Sequence, residues 1–251
     1  MDFTRRRFLL SLPLLGGAIL GVESLLEPKL LETKRLDLRG LGLGKRIVQF
    51  SDLHYRGDRS FGEEVVRRIH QLEPDYVCFT GDLVEHCDRT HLAGALDLIA
   101  GFQVPVFGIT GNHDPIDRAS LEECRKAYAA TGGQFLFGRR TELDGFVLHG
   151  SRNSQGLPYE ESLPKFLLCH YPIVGDAPVE QRYDLILAGH SHGGQIRLPF
   201  LGALVLPPEV GRYDRGFYQA PAGNLYVNVG VGTYKVALRL FCRPEITEIL
   251  I

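Results

Sequence analysis

Ile47-Val48-Gln49-Phe50 runs straight into Ser51-Asp52-Leu53-His54, and the same event recurs along the chain. Tyr76-Val77-Cys78-Phe79 leads into Thr80-Gly81-Asp82, and Val104-Pro105-Val106-Phe107-Gly108-Ile109 into Thr110-Gly111-Asn112-His113-Asp114. Phe166-Leu167-Leu168-Cys169 ends on His170, and Leu185-Ile186-Leu187-Ala188 on Gly189-His190-Ser191-His192. Continuous apolar runs of this length read as buried strands. In open α/β sheets, ligands gather beyond the carboxyl ends of the strands. The pattern therefore predicts one sheet edge carrying Asp, His and Asn side chains that can hold two metal ions.

Between these runs lie helical patterns. Val65, Val66, Ile69 and Leu72 are spaced for one helix face over 61–72, which Glu73-Pro74-Asp75 stops. Leu92, Ala95, Leu96 and Ile99 mark a second helix. A third is predicted over 119–130, with Ser120 as cap and Glu123 completing a capping box. Strand, helix, strand, helix, strand is the signature of parallel crossover units. From Gly132 onward, short strands alternate with Gly, Pro and Asn turns, as in 142–149 and 225–229. Residues 238–251 read as two further strands around Arg243-Pro244, and Lys34 to Leu38 alternates like an edge strand.

The 251 residues fit one α/β domain with a short extension: 1–26 as a targeting segment, 27–44 as a connector and 45–251 as the catalytic domain. A net charge of −2 supplies no global basic field, which argues against nucleic acid as a partner. The N-terminus has its own character. Thr4-Arg5-Arg6-Arg7-Phe8-Leu9 precedes an apolar stretch from Phe8 to Val22, closed by Glu23 and Glu27. Basic, apolar and polar regions in this order resemble a twin-arginine export signal, and make the export machinery and the membrane surface expected partners. The uncharged stretch is short for a comfortable span of about 20 residues. Cleavage and retention as an anchor both stay open, and with them a membrane-associated or an extracytoplasmic location. The cysteines, Cys78, Cys87, Cys124, Cys169 and Cys242, are odd in number, and Cys78 and Cys169 lie inside apolar runs, so a disulfide framework is not expected.

Alone, Asp52-x-His54 or Gly81-Asp82 is weak evidence; Gly111-Asn112-His113-Asp114 and Gly189-His190-Ser191-His192-Gly193-Gly194-Gln195 are far more specific. In this order and each at a strand end, the set resembles the calcineurin-like metallophosphoesterases. All motif blocks of that superfamily, D-x-H, G-D, G-N-H-[DE], H and G-H-x-H, are present from about residue 45 on. The twin-arginine start, Cys169-His170-Tyr171-Pro172 and Cys242-Arg243-Pro244-Glu245 resemble a bacterial branch linked with phosphodiesterase activity and with cleavage of UDP-2,3-diacylglucosamine.

The resemblance implies a layered αββα sandwich, two mixed β-sheets flanked by helices. It implies that Asp52, His54 and His192 hold one metal, that Asn112, His170 and His190 hold a second, and that Asp82 bridges them. A carboxylate can share its oxygens between cations about 3.5–4 Å apart. Mixed nitrogen and oxygen ligation suits manganese, placed first here, or iron, zinc or cobalt. The implied reaction is attack on a phosphodiester or diphosphate by a hydroxide bridging the metals. His113 is expected to protonate the leaving oxygen, with Asp114 orienting it. The expected substrate is a phosphorylated small molecule or lipid, with a UDP-diacylglucosamine-like lipid A precursor leading. That precursor faces the cytoplasm, whereas an export signal would carry the domain out; an exported phosphodiesterase without a lipid substrate is therefore the alternative, followed by a nuclease and a non-catalytic scaffold.

Gly81, Gly111 and Gly189 are expected where backbone must approach the metals closely. His70 reads as a helix-surface residue and His86 as a solvated loop residue near the pocket. Arg152 could pair with a substrate phosphate, although a surface arginine is the commoner case. Leu198 to Pro208 is strongly apolar and broken by Pro and Gly. A core hairpin is the favoured reading, and an apolar lip beside the metals the sharper one. For a nuclease, Arg212, Tyr213, Arg215, Phe217 and Tyr218 are the nearby groups that could stack on or pair with a nucleic acid.

Overall fold

Two six-stranded sheets organise the chain in the computed structural model, which describes residues 20–151, 162–178 and 182–251. The export-type sequence before residue 20 and Arg152 lie outside the described residues. The first sheet runs β1 (Glu32–Asp37), β14 (Glu245–Leu250), β2 (Arg46–Phe50), β3 (Tyr76–Phe79), β4 (Val106–Gly108) and β5 (Gln134–Phe135). The second runs β12 (Gly216–Ala220), β13 (Gly223–Val227), β9 (Tyr183–Ala188), β8 (Lys165–Cys169), β7 (Phe146–Ser151) and β6 (Arg139–Leu143). Each sheet is mixed. β2 to β5 are mutually parallel, as are β7, β8, β9 and β13, while β14 is antiparallel to β2, β6 to β7 and β12 to β13. The parallel strands of each sheet bring their carboxyl ends to one edge.

The apolar runs divide their side chains between two cores, as the period of two along a strand requires. On β2, Ile47 points between the sheets, where it meets Cys78, Phe107, Phe166, Leu168, Leu185 and Ile249. Val48 and Phe50 point the other way, into a core shared with Val65, Ile69, Leu92, Ala95 and Ile99 of the helices. Those helices, α1 (Arg59–His70), α2 (Arg89–Ala100) and α3 (Arg118–Ala130), cover the outer face of the first sheet. Asp58, Asp88 and Asp117 cap them, each accepting from a backbone N–H of the first turn. Ser120 is thus not the cap of α3. Asp117 in extended backbone takes that place, and the Ser120 hydroxyl donates to its carboxylate at 2.7 Å.

The outer face of the second sheet carries a smaller core of Leu167, Cys169, Ile186, Leu225 and Val227. Val174, on the 3-10 helix Pro172–Asp176, and Tyr213 cover it. On that side the helical layer is a single 3-10 helix among the described residues. Between the sheets, fully buried Gln49 donates to Thr80 Oγ1 at 3.2 Å and to the Ala188 carbonyl at 2.9 Å, tying β2 to the end of β9 just below the ligand loops. Residues 27–44 are built into the fold, for β1 pairs in parallel with β14 along its whole length and forms the edge of the sheet.

The two strands expected at the C-terminus reduce to one. β14 is regular, whereas residues 238–242 make a single bridge, Leu240 to Ile196, and otherwise wrap a buried cation. Arg239 is fully buried, and its guanidinium donates to the carbonyls of Val229, Gly230, Gly232 and Cys242 at 2.6–3.2 Å. Burial lowers the guanidinium pKa, so these carbonyls stand in for the water it has lost. The loop they belong to rests on the first ligand loop: Val231 and Gly232 donate to the carbonyls of Ser51 and Asp52 at 2.9 and 2.8 Å. Arg239→Met strands these acceptors and should cost on the order of 3 kcal/mol. The urea midpoint reads this directly, and an unchanged midpoint would mean that the loop finds other donors.

Candidate metal centre

Five parallel strand ends set seven side chains against one another. Two triads stand out: Asp52, His54 and His192, and Asp82, His170 and His190, each with its ligand atoms within 4.8 Å of one another. All six are buried. His54 Nε2 faces His192 Nε2 at 3.0 Å, and His192 Nε2 lies 3.5 Å from Asp52 Oδ1. His170 Nε2 lies 3.2 Å from His190 Nδ1 and 3.1 Å from Asn112 Oδ1. Asp82 joins the groups, its Oδ2 being 3.6 Å from His54 Nε2 and 3.3 Å from His170 Nε2. The residues expected as ligands are therefore brought together, with Asp82 between the two sets.

The backbone makes this possible at a cost. Asp52, His54, Asp82, His190 and His192 all have positive φ, between 44° and 66°. For residues other than Gly this is a sparsely populated region, and such strain clusters at functional sites. In Asp-x-His and His-x-His it turns alternate residues toward the same edge. Close approach adds to it: a Cβ on Gly111 would lie 2.0 Å from Asp82 Oδ1. Glycine is required there, as expected from its place before Asn112.

Hydrogen bonds from the far side of each ring fix its orientation. His170 Nδ1 faces the Thr80 carbonyl at 2.8 Å, and His190 Nε2 faces the Pro208 carbonyl at 2.9 Å. A carbonyl only accepts, so those nitrogens carry protons and His190 Nδ1 is left bare toward the site. Two fully buried carboxylates, four inward imidazole nitrogens and one amide oxygen form a donor set that fits two divalent cations.

The electrostatics agree. Burial, and then the neighbouring Asp82, push Asp52 up to about 7. Burial alone would raise Asp82 as well, but the His170 charge and hydrogen bond, aided by His54, outweigh it and hold its carboxyl below the usual range. Burial would lower His170, yet Asp82 and Asp52 carry it up to about 9. A proton on His170 Nε2 thus stands where a cation would. Burial brings His54 and His190 down to about 4 and His192 well below the ordinary imidazole value, so all three are neutral and ready to ligate at neutral pH.

His113 stands apart from both triads and half-buried, with its Nδ1 accepting from the His86 N–H at 3.3 Å. Its neutral form therefore carries the proton on Nε2. Burial lowers its pKa. Asp114 behaves differently from expectation. Its oxygens accept the backbone N–H groups of Asp82, Leu83, Val84 and Gly111 at 2.7–3.1 Å. It braces the two ligand loops against each other, and this corrects the role of orienting His113. Burial and the charge of Asp82 raise it to about 6 despite those donors.

Tyr234 was not singled out by the sequence. Its ring lies 4.8 Å from that of His113 and 5.8 Å from that of His54. Gln195, the last residue of the final motif, holds it there by donating to the Tyr234 carbonyl at 3.1 Å and accepting its N–H. Glu85 was also missed. It is buried, lies 3.7 Å from His54 Nδ1 and is paired with Arg56. His86 is exposed at the rim, its ring 5.1 Å from that of His113. His70 accepts the Gln103 N–H from the surface of α1, as expected.

The ligands floor a cleft of about 520 Å³. Its lining also includes Tyr234, Lys235 and Val236, and Leu204 to Pro208. The core hairpin favoured for Leu198 to Pro208 is thus not what forms. β10 (Arg197–Leu198) and β11 (Gly202–Ala203) make a small projecting hairpin whose apolar residues face out. A Cβ on Gly194 would meet Ala203 Cβ at 2.5 Å, so the hairpin sits directly on the ligand loop. The groups considered for nucleic-acid binding are mostly engaged internally: Tyr213 is buried and donates to Asp176, Arg212 pairs with Asp176, and Tyr218 donates to Asp214. All cysteines are free, and only Cys87 is exposed.

Comparison with known proteins places this geometry. The chain is 31% identical to the uncharacterized metallophosphoesterase YkuE of Bacillus subtilis, over 93% of this chain and 90% of that one. It is 29% identical to the phosphodiesterase YaeI of Escherichia coli, over 80% of each. It is 25% identical to the UDP-2,3-diacylglucosamine pyrophosphatase LpxG of Chlamydia muridarum, over 88% of this chain and 89% of that one. The crystal structure of TT1561 of Thermus thermophilus shares the fold, with a TM-score of 0.51 at 12% identity, over 74% of this chain and 90% of that one. Residues 45–194 match the calcineurin-like phosphoesterase family, so the chain that carries this strand-end centre belongs to the calcineurin-like metallophosphoesterases and is a phosphoric ester hydrolase.

Proposed function

We propose that this enzyme hydrolyses a phosphodiester or diphosphate bond in a lipid-linked substrate, of the UDP-2,3-diacylglucosamine type, at a membrane surface. The observation that carries this reading is the lining of the cleft. The metal ligands and the apolar wall Leu204 to Pro208 border the same 520 Å³ space, so a phosphate at the ligands has room for acyl chains beside it. Lys235 in the same lining offers a cation to a second phosphate. The Tyr234 ring offers a flat face to a base. The relative LpxG, by its name, acts on such a diphosphate. Residues 1–26 would serve as the export signal or anchor that keeps residues 45–251 near the lipid. No helix among the described residues is long and apolar enough to cross a membrane.

The division of labour follows from the contacts. Asp52, His54 and His192 would hold one divalent cation and Asn112, His170 and His190 the other, with Asp82 shared; manganese is the first choice. When bound, such cations supply Lewis acidity and an activated water. The chain does the rest. Asp114 fixes the loops of Asp82 and Gly111, Pro208 fixes His190, and Thr80 fixes His170. As imidazolium, His113 would give its Nε2 proton to the leaving oxygen and return to the neutral form in which Nδ1 accepts from the His86 N–H.

Three outcomes test this. UMP release from UDP-2,3-diacylglucosamine, followed beside hydrolysis of bis-p-nitrophenyl phosphate, should require Mn²⁺ and vanish in Asp82→Asn. Hydrolysis of the small diester alone would keep the metal chemistry and reject the lipid. His113→Gln should lose about 10²–10⁴-fold on the lipid diphosphate. The loss should be much smaller on the p-nitrophenyl ester, whose leaving group needs no proton; equal losses on both would remove His113 from the acid role. Metal affinity should rise from pH 6.5 to 8.5. His170 at about 9 and Asp52 at about 7 must shed protons before they ligate, so metal competes with fewer protons as pH increases. Calorimetric titrations at the two pH values would show tighter binding at pH 8.5 and more protons released per metal at pH 6.5, and a flat response would contradict the assignment of these ligands.

A further inference from the structure

From Leu198 to Pro208 the chain carries no charged residue, and the fold turns this stretch outward. Phe200 and Leu201, at the tip between β10 and β11, are 109% and 78% exposed; Leu204 and Val205 behind them are 55% and 75% exposed. Each such side chain is stabilised on leaving water. Phe200 also has φ 66°, a left-handed backbone that a bulky aromatic seldom adopts and that glycine or asparagine would adopt at lower cost. Stability alone does not explain a large ring held out in water on a strained turn.

The hairpin is a fixed prominence. The Arg197 N–H donates to the Leu240 carbonyl and the Leu204 N–H to the Ile196 carbonyl, at 2.9 and 3.1 Å. The Arg197 guanidinium donates to the Gly193 carbonyl and to Asp214, both at 2.7 Å.

A second observation says what it faces. The helical segment 20–26 and the 3-10 helix after it dock on the far side of the same strip, residues 239–242. The Ser24 carbonyl accepts from the Arg239 N–H at 3.1 Å, and the buried Glu27 carboxylate accepts from the N–H groups of Phe241 and Cys242 at 2.8 and 2.5 Å. The strip is thus bordered by the hairpin on one side and by a helix exposing Leu25 and Leu26 on the other, and it exposes Phe241 itself. Into that helix runs the uncharged apolar sequence that begins at Phe8, behind Arg5-Arg6-Arg7. Exposed Lys235 and Arg243 flank the strip. Large exposed apolar side chains with a lysine and an arginine beside them match the chemistry of a bilayer interface that contains anionic lipid.

We infer that the Leu198–Pro208 hairpin is a lipid-seating element, with Phe200 and Leu201 entering the interfacial layer of a bilayer that contains anionic lipid. The seat is independent of which phosphoester the enzyme cleaves. It lies beside the cleft because the same segment supplies the cleft wall and the carbonyl that holds His190.

The chain contains no tryptophan, so one introduced residue reports alone. Full-length Phe200→Trp is compared in lipid-free buffer and with vesicles of phosphatidylethanolamine and phosphatidylglycerol, with and without dibrominated acyl chains. Emission should shift to the blue on vesicles, and brominated lipid should quench about half of it, as for a ring at the headgroup–acyl boundary. Leu201→Trp should do the same, which guards against a local effect of the first variant. Arg67→Trp, on the outer surface of α1, should stay red and unquenched. Vesicles that float the protein while the ring at 200 stays red would overturn the proposal and leave the N-terminus as sole attachment. A blue emission without lipid overturns it too. If it is independent of dilution, the chain's own N-terminal segment covers the hairpin; if it fades on dilution, a second copy does.

Discussion

Asp52 and Asp82 are carboxylates with no access to water, only a few ångströms from each other's imidazole partners. Burying charge of one sign without compensation is among the most expensive things a fold can do. The metal-free protein manages it with protons: Asp52 moves up toward neutrality, and His170 takes a proton that answers Asp82. Divalent cations held by these residues would supply the positive charge that those protons now provide. The centre is therefore built for positive charge before any substrate arrives, and the rest of the fold reads as scaffolding for that demand.

That scaffolding is mostly backbone. Five residues of the candidate ligand set sit in left-handed conformations that their side chains do not favour. They persist because the loops are overdetermined. Asp114 draws four N–H groups from two loops onto one carboxylate. Gln49 ties the two sheets together beneath them, and Arg239 gathers the carbonyls of the loop that lies across Asp52. Each of these groups is buried and multiply bonded, so strain at the ligands is opposed by interactions that would all be lost together. This is preorganisation of the kind a metal site needs, since ligands that had to be gathered on binding would weaken the metal.

How much of this was legible in the sequence depends on the kind of signal. The strand ends were readable because a buried parallel strand is continuously apolar and a metal ligand is chemically conspicuous, so the transition at Phe50 to Asp52 or Ala188 to His190 is sharp. The resemblance carried by that order implies which residues would ligate, and the fold brings those residues together. The bracing role of Asp114 was not readable, because a carboxylate that accepts backbone N–H groups looks the same in sequence as one that orients a histidine. Ser120 lost the cap of α3 to Asp117 for a similar reason: both residue types cap, and only backbone geometry chooses. Arg239 and the reduction of 238–242 to one bridge left no local pattern at all, since the partners of Arg239 are carbonyls, which every residue has. Tyr234 is positioned by Gln195, well upstream of it, and nothing in its own neighbourhood marks it.

The hairpin shows the deepest limit of hydropathy. Leu198 to Pro208 reads as core because a protein interior and a lipid surface select the same side chains. What separates them is whether other elements of the fold close over the segment, and here none of the described elements does. The placement also has a consequence for the centre. Pro208 accepts from His190 and Ala203 packs on Gly194, so the hairpin touches the loop of His190 and His192 directly. An apolar lip attached in this way adjoins the groups of the candidate centre through two direct contacts, Pro208 with His190 and Ala203 with Gly194.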